Sequence, residues 1–313
     1  MITIEMPAMR PRPTSGLEND ILKVLLYFDV FQFPLTVSEI YHFLPSNSIT
    51  PAHVSRALLS PSLSGRVKRE NGYFFLATAT NSYAEERLEK ERRAARLMSV
   101  ARVMAKIIRV FPYVRGVFLS GELSKGIASK KSDIDFVIVT KEGRLWIART
   151  LLIVFKKLFL LNRKRFFCLN HFVTEHHIRV ELRNIYTATE VVTLVPLEND
   201  IMFSRYMVAN LWVTQFFPNW KIDERILRSD RTGKSVMREI LELIIPDRIA
   251  DRLDPWLMLK WQQMWRTRYA QLSDEELNRK YQCSSYSSTA YGGDYQGSIL
   301  RAFENRLHGY QVI

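Results

Sequence analysis

Residues 117–140 restrict the possible folds more than any other stretch of the chain. Val117-Phe118-Leu119 is a short apolar strand that runs into Ser120-Gly121-Glu122-Leu123-Ser124-Lys125-Gly126. After a polar connection, Ser132-Asp133-Ile134-Asp135-Phe136-Val137-Ile138-Val139-Thr140 reads as a second strand. Side chains two apart on a strand share a face, so Asp133 and Asp135 are expected side by side while Ile134 and Phe136 pack on the other face. Adjacent carboxylates repel, and a divalent cation is the usual reason to keep them together. Oxygen donors favour Mg²⁺ or Mn²⁺ over zinc. Gly121 and Gly126 permit tight turns and close backbone approach, as a phosphate seated beside a metal requires. Together these features suit phosphoryl or nucleotidyl transfer.

Charge is spread unevenly. The chain of 313 residues has a net charge of +13. Residues 17–80 hold five residues of each sign, and residues 166–313 eighteen of each. Residues 102–165 hold fifteen basic residues, among them Lys125, Lys130 and Lys131, against only Glu122, Asp133, Asp135 and Glu142. A polyanionic or phosphate-bearing partner is therefore expected at the Asp133/Asp135 segment. With 47% hydrophobic residues the chain is too apolar to be disordered, and two cysteines, Cys168 and Cys283, support neither a disulfide framework nor a cysteine zinc site. A reducing cytoplasm is the expected compartment. Met1 to Ser15 has three prolines and no apolar core of a secretory signal, and Arg149, Lys156 and Lys157 interrupt the longest apolar run, so membrane insertion is not expected.

The expected class is α+β, divided into a flexible tail (1–16), a first module (17–80), a central domain (81–200) and a C-terminal helical region (201–313). Leu17, Ile21, Val24, Leu25 and Phe28 follow a helical period. Thr36-Val37-Ser38-Glu39 is a capping box for a second helix, and Thr50-Pro51 starts a third. Asn71-Gly72 then suits a type I′ turn between two short strands. Three helices and a hairpin are the arrangement of a winged helix, but zero net charge makes this module a poor holder of duplex DNA, and a packing or protein-docking role is preferred. Residues 82–109 are expected to form a long helix. The tryptophans at 212, 220, 256, 261 and 265 are expected to pack C-terminal helices, and 281–298 to form an irregular polar loop before a last helix near 299–307.

The run from Gly121 through Lys125-Gly126 to Ser132-Asp133-Ile134-Asp135 resembles the signature of nucleotidyltransferases of the DNA polymerase β-like superfamily, roughly Gly-Ser-x-x-x-Gly followed by Ser-Asp-x-Asp. The spacing from Gly126 to Asp133 is similar to that of its small bacterial and archaeal members. The resemblance implies a mixed sheet with flanking helices. It also implies that Asp133 and Asp135 ligate Mg²⁺, that Gly121, Glu122, Ser124, Lys125, Gly126 and Ser132 surround a nucleoside triphosphate, and that a third carboxylate completes the site. The implied activity is transfer of a nucleoside monophosphate to an unidentified acceptor hydroxyl on a small molecule, protein or nucleic acid. Two positions depart from the pattern. Glu122 stands where the family commonly has serine. The third carboxylate is not obvious: Glu175 is preferred over Glu181, and Asn170 in that position would weaken metal binding and favour a regulatory nucleotide- or nucleic-acid-binding module. His171, His176 and His177 lie close in sequence, but neighbours on a strand point apart, so surface or hydrogen-bonded roles are preferred to a metal site.

Overall fold

Three helices open the computed structural model, which describes residues 16–79, 83–160, 165–290 and 293–312; the expected tail therefore lies, but for Gly16, outside the described residues. They are α1 (Leu17–Asp29), α2 (Val37–Phe43) and α3 (Pro51–Ala57), followed by the antiparallel pair β1 (Val67–Glu70) and β2 (Tyr73–Leu76). Local chemistry places each boundary. Glu39 N–H donates to Thr36 Oγ1 while Glu39 Oε2 accepts from Thr36 N–H at 2.8 Å, closing the capping box at the start of α2. Asn71 and Gly72 both take positive φ, 50° and 84°, as a type I′ turn demands. Leu35 pairs with Phe74 beside the hairpin.

The long helix α4 (Tyr83–Ile108) leads into β3 (Val114–Ser120), the short helix α5 (Gly121–Ser124), β4 (Asp135–Thr140), α6 (Leu145–Phe159), β5 (Cys168–Thr174), α7 (Ile185–Val192) and β6 (Val195–Glu198). The remainder comprises α8 (Asp200–Ala209), a 3-10 turn (Leu211–Gln215), α9 (Glu224–Leu227), α10 (Val236–Ile244), α11 (Asp247–Arg268), α12 (Asp274–Lys280), β7 (Ser287–Thr289) and α13 (Tyr295–Gly309). Five strands form one mixed sheet in the order β6-β3-β4-β5-β7. β4 and β5, joined through α6, run parallel, and the other pairs are antiparallel. Strand β7 falls inside the stretch expected to be irregular; it is held by pairing with β5, which its polar sequence does not announce.

Both faces of the sheet are covered, which is why β3 and β4 read as continuous apolar runs instead of alternating. Phe136, Ile138 and Phe172 join the core under α4, α6 and α11. Phe118, Val137, Val139 and Val173 join a second core with Met202, Phe203 and Met207 of α8 and Ala188 of α7. The C-terminal helix returns to the first module: Phe303 meets Tyr27 edge-on at 5.3 Å and Arg306 pairs with Asp29 at 2.7 Å. Trp212 and Trp265 are buried as expected of packing residues, whereas Trp256 is half exposed.

Candidate functional site

The site forms where β3 ends and β4 begins. Ser120 and Asp135 are register partners, so the turn at Gly121 and the first residue of β4 are forced together. Gly121 has φ +71°, and a side-chain methyl there would lie 2.5 Å from Asp135 Oδ2. The carboxylate therefore sits directly on the glycine backbone, and only glycine fits. Gly126 also has a positive φ, +73°, but faces open space.

Glu122 turns away from the glycine turn. Its Oε2 accepts from the Ser129 N–H at 3.2 Å and from the Ser132 hydroxyl, tying both ends of the connecting loop together. Ser124 Oγ donates to Gly121 O at 2.9 Å. Lys125 Nζ donates to the same carbonyl at 3.2 Å and to Glu190 Oε1 at 2.8 Å. Lys130 and Lys131 are exposed on the outer part of the loop.

Asp133 falls just before the strand, not within it as its spacing suggests, because the Ile134 amide pairs with Arg165 O at 2.9 Å instead of with β3. Its charge nevertheless bears on Asp135. The Asp135 carboxyl is raised to about 6, first by burial and then by Asp133 and Glu190, with the Cys168 thiol and Lys125 opposing the shift. Burial likewise raises the Cys168 thiol to about 12, with the Asp135 charge adding to it, so this cysteine is protonated and unreactive at neutral pH. Asn170 Nδ2 lies 3.4 Å from Asp135 Oδ1.

The structure does not bring Glu175 to Asp135. β4 and β5 are parallel, pairing from Asp135 opposite Cys168 to Thr140 opposite Thr174, with one register shift between Asp135 and Val137. Glu175 follows Thr174, and its amide donates to Thr140 O at 2.8 Å, at the far end of the sheet. Five strand steps of about 3.3 Å separate that end from Asp135. Glu181 is exposed in the segment before α7. Cys168 is the β5 partner of Asp135, Asn170 reaches the carboxylate with its side chain, and the acid that comes to the site is Glu190, from α7. Asn184 caps α7 by accepting from the Thr187 amide at 3.0 Å. Tyr186 precedes Glu190 by four residues and shares its helix face. Burial holds the Tyr186 phenol above its ordinary value, and Glu190 and Asp135 reinforce the shift. The Tyr27 phenol of α1 is also raised, by burial, with Thr189 opposing and Glu190 and Tyr186 adding to it, and Ile185 of α7 packs against the core of the first module, which therefore borders the site. The Tyr186/Glu190 pair carries an i,i+4 signal in the sequence, but nothing local says that α7 meets the head of β4.

The histidines do not gather. His171 is half-buried, its pKa lowered to about 4 by desolvation and by Arg149, and so it is neutral. His177 is exposed, stacked on Tyr286 at 4.6 Å and hydrogen-bonded to Thr174 at 3.1 Å. Among the described residues no group of three or more His, Cys, Asp or Glu is arranged to hold a metal ion. Mg²⁺ at nucleotide sites is commonly held by one or two carboxylates with substrate phosphates and water, and the donor chemistry of Asp133 and Asp135 fits that mode. Comparison of the chain with protein-family models, curated proteins and solved structures finds no match.

Proposed function

We propose that the protein is a metal-dependent nucleotidyltransferase of the DNA polymerase β-like type that moves a nucleoside monophosphate from an NTP to an acceptor hydroxyl, releasing pyrophosphate. The observation that carries this reading is the crowding at the head of β4: the Asp135 carboxylate lies on the Gly121 backbone, Asp133 precedes it by two residues, and Glu190 reaches in through Lys125. Such crowding is relieved when a cation is shared. Asp133 and Asp135 would hold Mg²⁺ or Mn²⁺, which when bound supplies charge neutralisation for the phosphates. The residues of the chain do the rest. Gly121 lets the triphosphate approach the backbone. Glu122, committed to Ser129 and Ser132, no longer opposes an anion there and keeps the loop in shape. Lys125 is placed to exchange its contact with Glu190 for a phosphate oxygen, which would leave the Glu190 carboxylate facing the acceptor. The three-helix module with its hairpin is read as a winged helix used for packing, since α13 and the α7 side of the site lean on it.

Asn170 beside Asp135 favours a second reading, a nucleotide-binding regulatory module with the same fold and no transfer. Incubation with Mg²⁺, each labelled NTP and cell extract separates the two. Transfer predicts a labelled product that Asp133→Ala and Asp135→Ala both abolish; identical traces for wild type and Asp135→Ala overturn it. Saturable NTP binding without product supports the regulatory module.

A further inference from the structure

Helix α10 is docked with its polar side inward. Surface helices normally bury their apolar stripe and show their charges. In α10 the charges make the contact: Arg238 Nη1 donates to Val114 O at 3.0 Å, and Glu242 accepts from the Tyr113 amide at 2.8 Å and from Arg115 at 2.7 and 3.1 Å. The opposite face carries Val236, Met237, Ile240, Leu243 and Ile244, each between 51% and 82% exposed. Their spacing is that of one continuous helical stripe. Beyond Pro246, Ile249 and Trp256 of α11 are also exposed.

Around this stripe the exposed basic residues without an ion pair among the described residues outnumber the acidic ones, which are Asp230 and, on α10 itself, Glu239. Asp247 and Asp251, the acids at the start of α11, are both drawn to Arg144, at 2.9 and 2.7 Å. Lys234, Arg248, Arg252 and Lys260 are exposed and have no acidic partner among the described residues. Lys260 extends over the Trp256 ring, 5.8 Å from its centre.

We propose that α10 and the first half of α11 lie on an anionic lipid surface, with Val236, Met237, Ile240, Leu243 and Ile244 in the acyl boundary and Lys234, Arg248 and Arg252 among the headgroups. Exposed apolar residues on one side of a helix flanked by unpaired basic residues and a tryptophan are the composition of an interfacial segment. Among the described residues no helix is long and apolar enough to cross a membrane, so the segment lies on the surface and does not span it. A second copy of the chain fits less well. A two-fold axis sets each patch against its own like charges. At about 1.5 Å per residue, α10 by itself is too short for two copies to bury the roughly 1,200 Å² of a stable interface, so a dimer would need α11 as well.

The whole chain is sedimented with vesicles of phosphatidylcholine alone and of phosphatidylcholine mixed with phosphatidylserine. The expected result is binding to the mixed vesicles that falls with added salt. Leu243→Glu/Ile244→Glu changes only exposed side chains, keeps the wild-type circular dichroism, and is expected to abolish the binding. Arg248→Glu/Arg252→Glu is expected to weaken it by at least roughly fivefold per charge. The proposal is overturned if sedimentation is the same with and without vesicles, or if Leu243→Glu/Ile244→Glu binds as the wild type does. A concentration-dependent dimer in light scattering, lost in that variant and unaccompanied by vesicle binding, assigns the face to a second copy instead.

Discussion

Burial and the charges of Asp133 and Glu190 hold the Asp135 carboxyl at about 6, above its ordinary 3.8. The folded state thus binds this proton more tightly than the unfolded chain. The sign follows: stability from this group is greatest below about 4, declines as pH rises towards about 6, and stays low above it. At about 1.4 kcal/mol per pK unit, the ionised carboxylate costs a few kcal/mol when no cation shares it. Asp135→Asn is therefore expected to raise Tm at neutral pH in metal-free buffer and to flatten its decline between those two pH values, while abolishing transfer. Thermal melts across that range check the first part. The two glycines separate backbone strain from contact. Gly126→Ala pays only for its positive φ, about 1–2 kcal/mol, whereas Gly121→Ala adds the collision with Asp135 Oδ2 and is expected to cost more and to displace that carboxylate. Denaturant unfolding of both variants tests the difference. At this scale the sequence names Gly121, Asp133 and Asp135 as a group, because turn and strand adjoin. It does not show that Glu122 turns aside, since its partners, Ser129 and Ser132, are reached only after the loop closes.

Elements governed by short-range chemistry are legible in advance. The capping box at Thr36 and Glu39, the proline start at Thr50-Pro51 and the turn at Asn71-Gly72 all lie where local hydrogen bonding and φ preferences put them. Helix α10 is the counterexample. Its apolar stripe predicts burial, yet it docks through Arg238 and Glu242 because β3 presents a backbone amide, a carbonyl and Arg115 at that edge. Burial works to raise the Glu242 carboxyl, but Arg115, the Tyr113 amide and Arg238 together hold it below its ordinary value of 4.5. A depressed carboxylate stabilises above the unfolded pKa and loses that contribution as pH falls through the folded one. Below about 4.5, α10 is therefore expected to lose hydrogen-exchange protection before β3 and β4 do. Glu242→Ala is expected to show the same selective loss at neutral pH.

For the molecule as a whole, the position of charge along the chain and its position in space differ. Much of the excess in residues 102–165 is spent internally. Arg109 pairs with Glu198, Arg115 with Glu242, Lys125 with Glu190, and Arg144 with Asp247 and Asp251. Arg149 is buried among Trp146, Trp261, Trp265 and Phe172. The basic surround expected for a phosphate site is accordingly thinner than the sequence count, whereas Lys234, Arg248, Arg252 and Lys260 stay exposed around α10 and α11. The C-terminal helix also belongs with the first module: Ile299, Phe303, Leu307 and Val312 pack against the core of α1. Phe303→Ala is expected to destabilise by about 2–3 kcal/mol, since Phe303 is only partly buried. The loss should appear as faster hydrogen exchange in α1, with β4 unaffected.

The strands around Gly121 and Asp135, the ends of α2 and α3, the hairpin turn and the pairing of glycine turn with carboxylates are all written in the order of residues. Each of these depends on residues a few positions apart. Folding in three dimensions set β5 parallel to β4, which sent Glu175 to the far end and brought the Asn170 side chain to Asp135. It also brought Glu190 from α7 to the site, wove the polar segment at Ser287–Thr289 into the sheet and set α10 with its apolar face outward. Those outcomes depend on which surfaces meet after collapse, and no short-range preference encodes that choice.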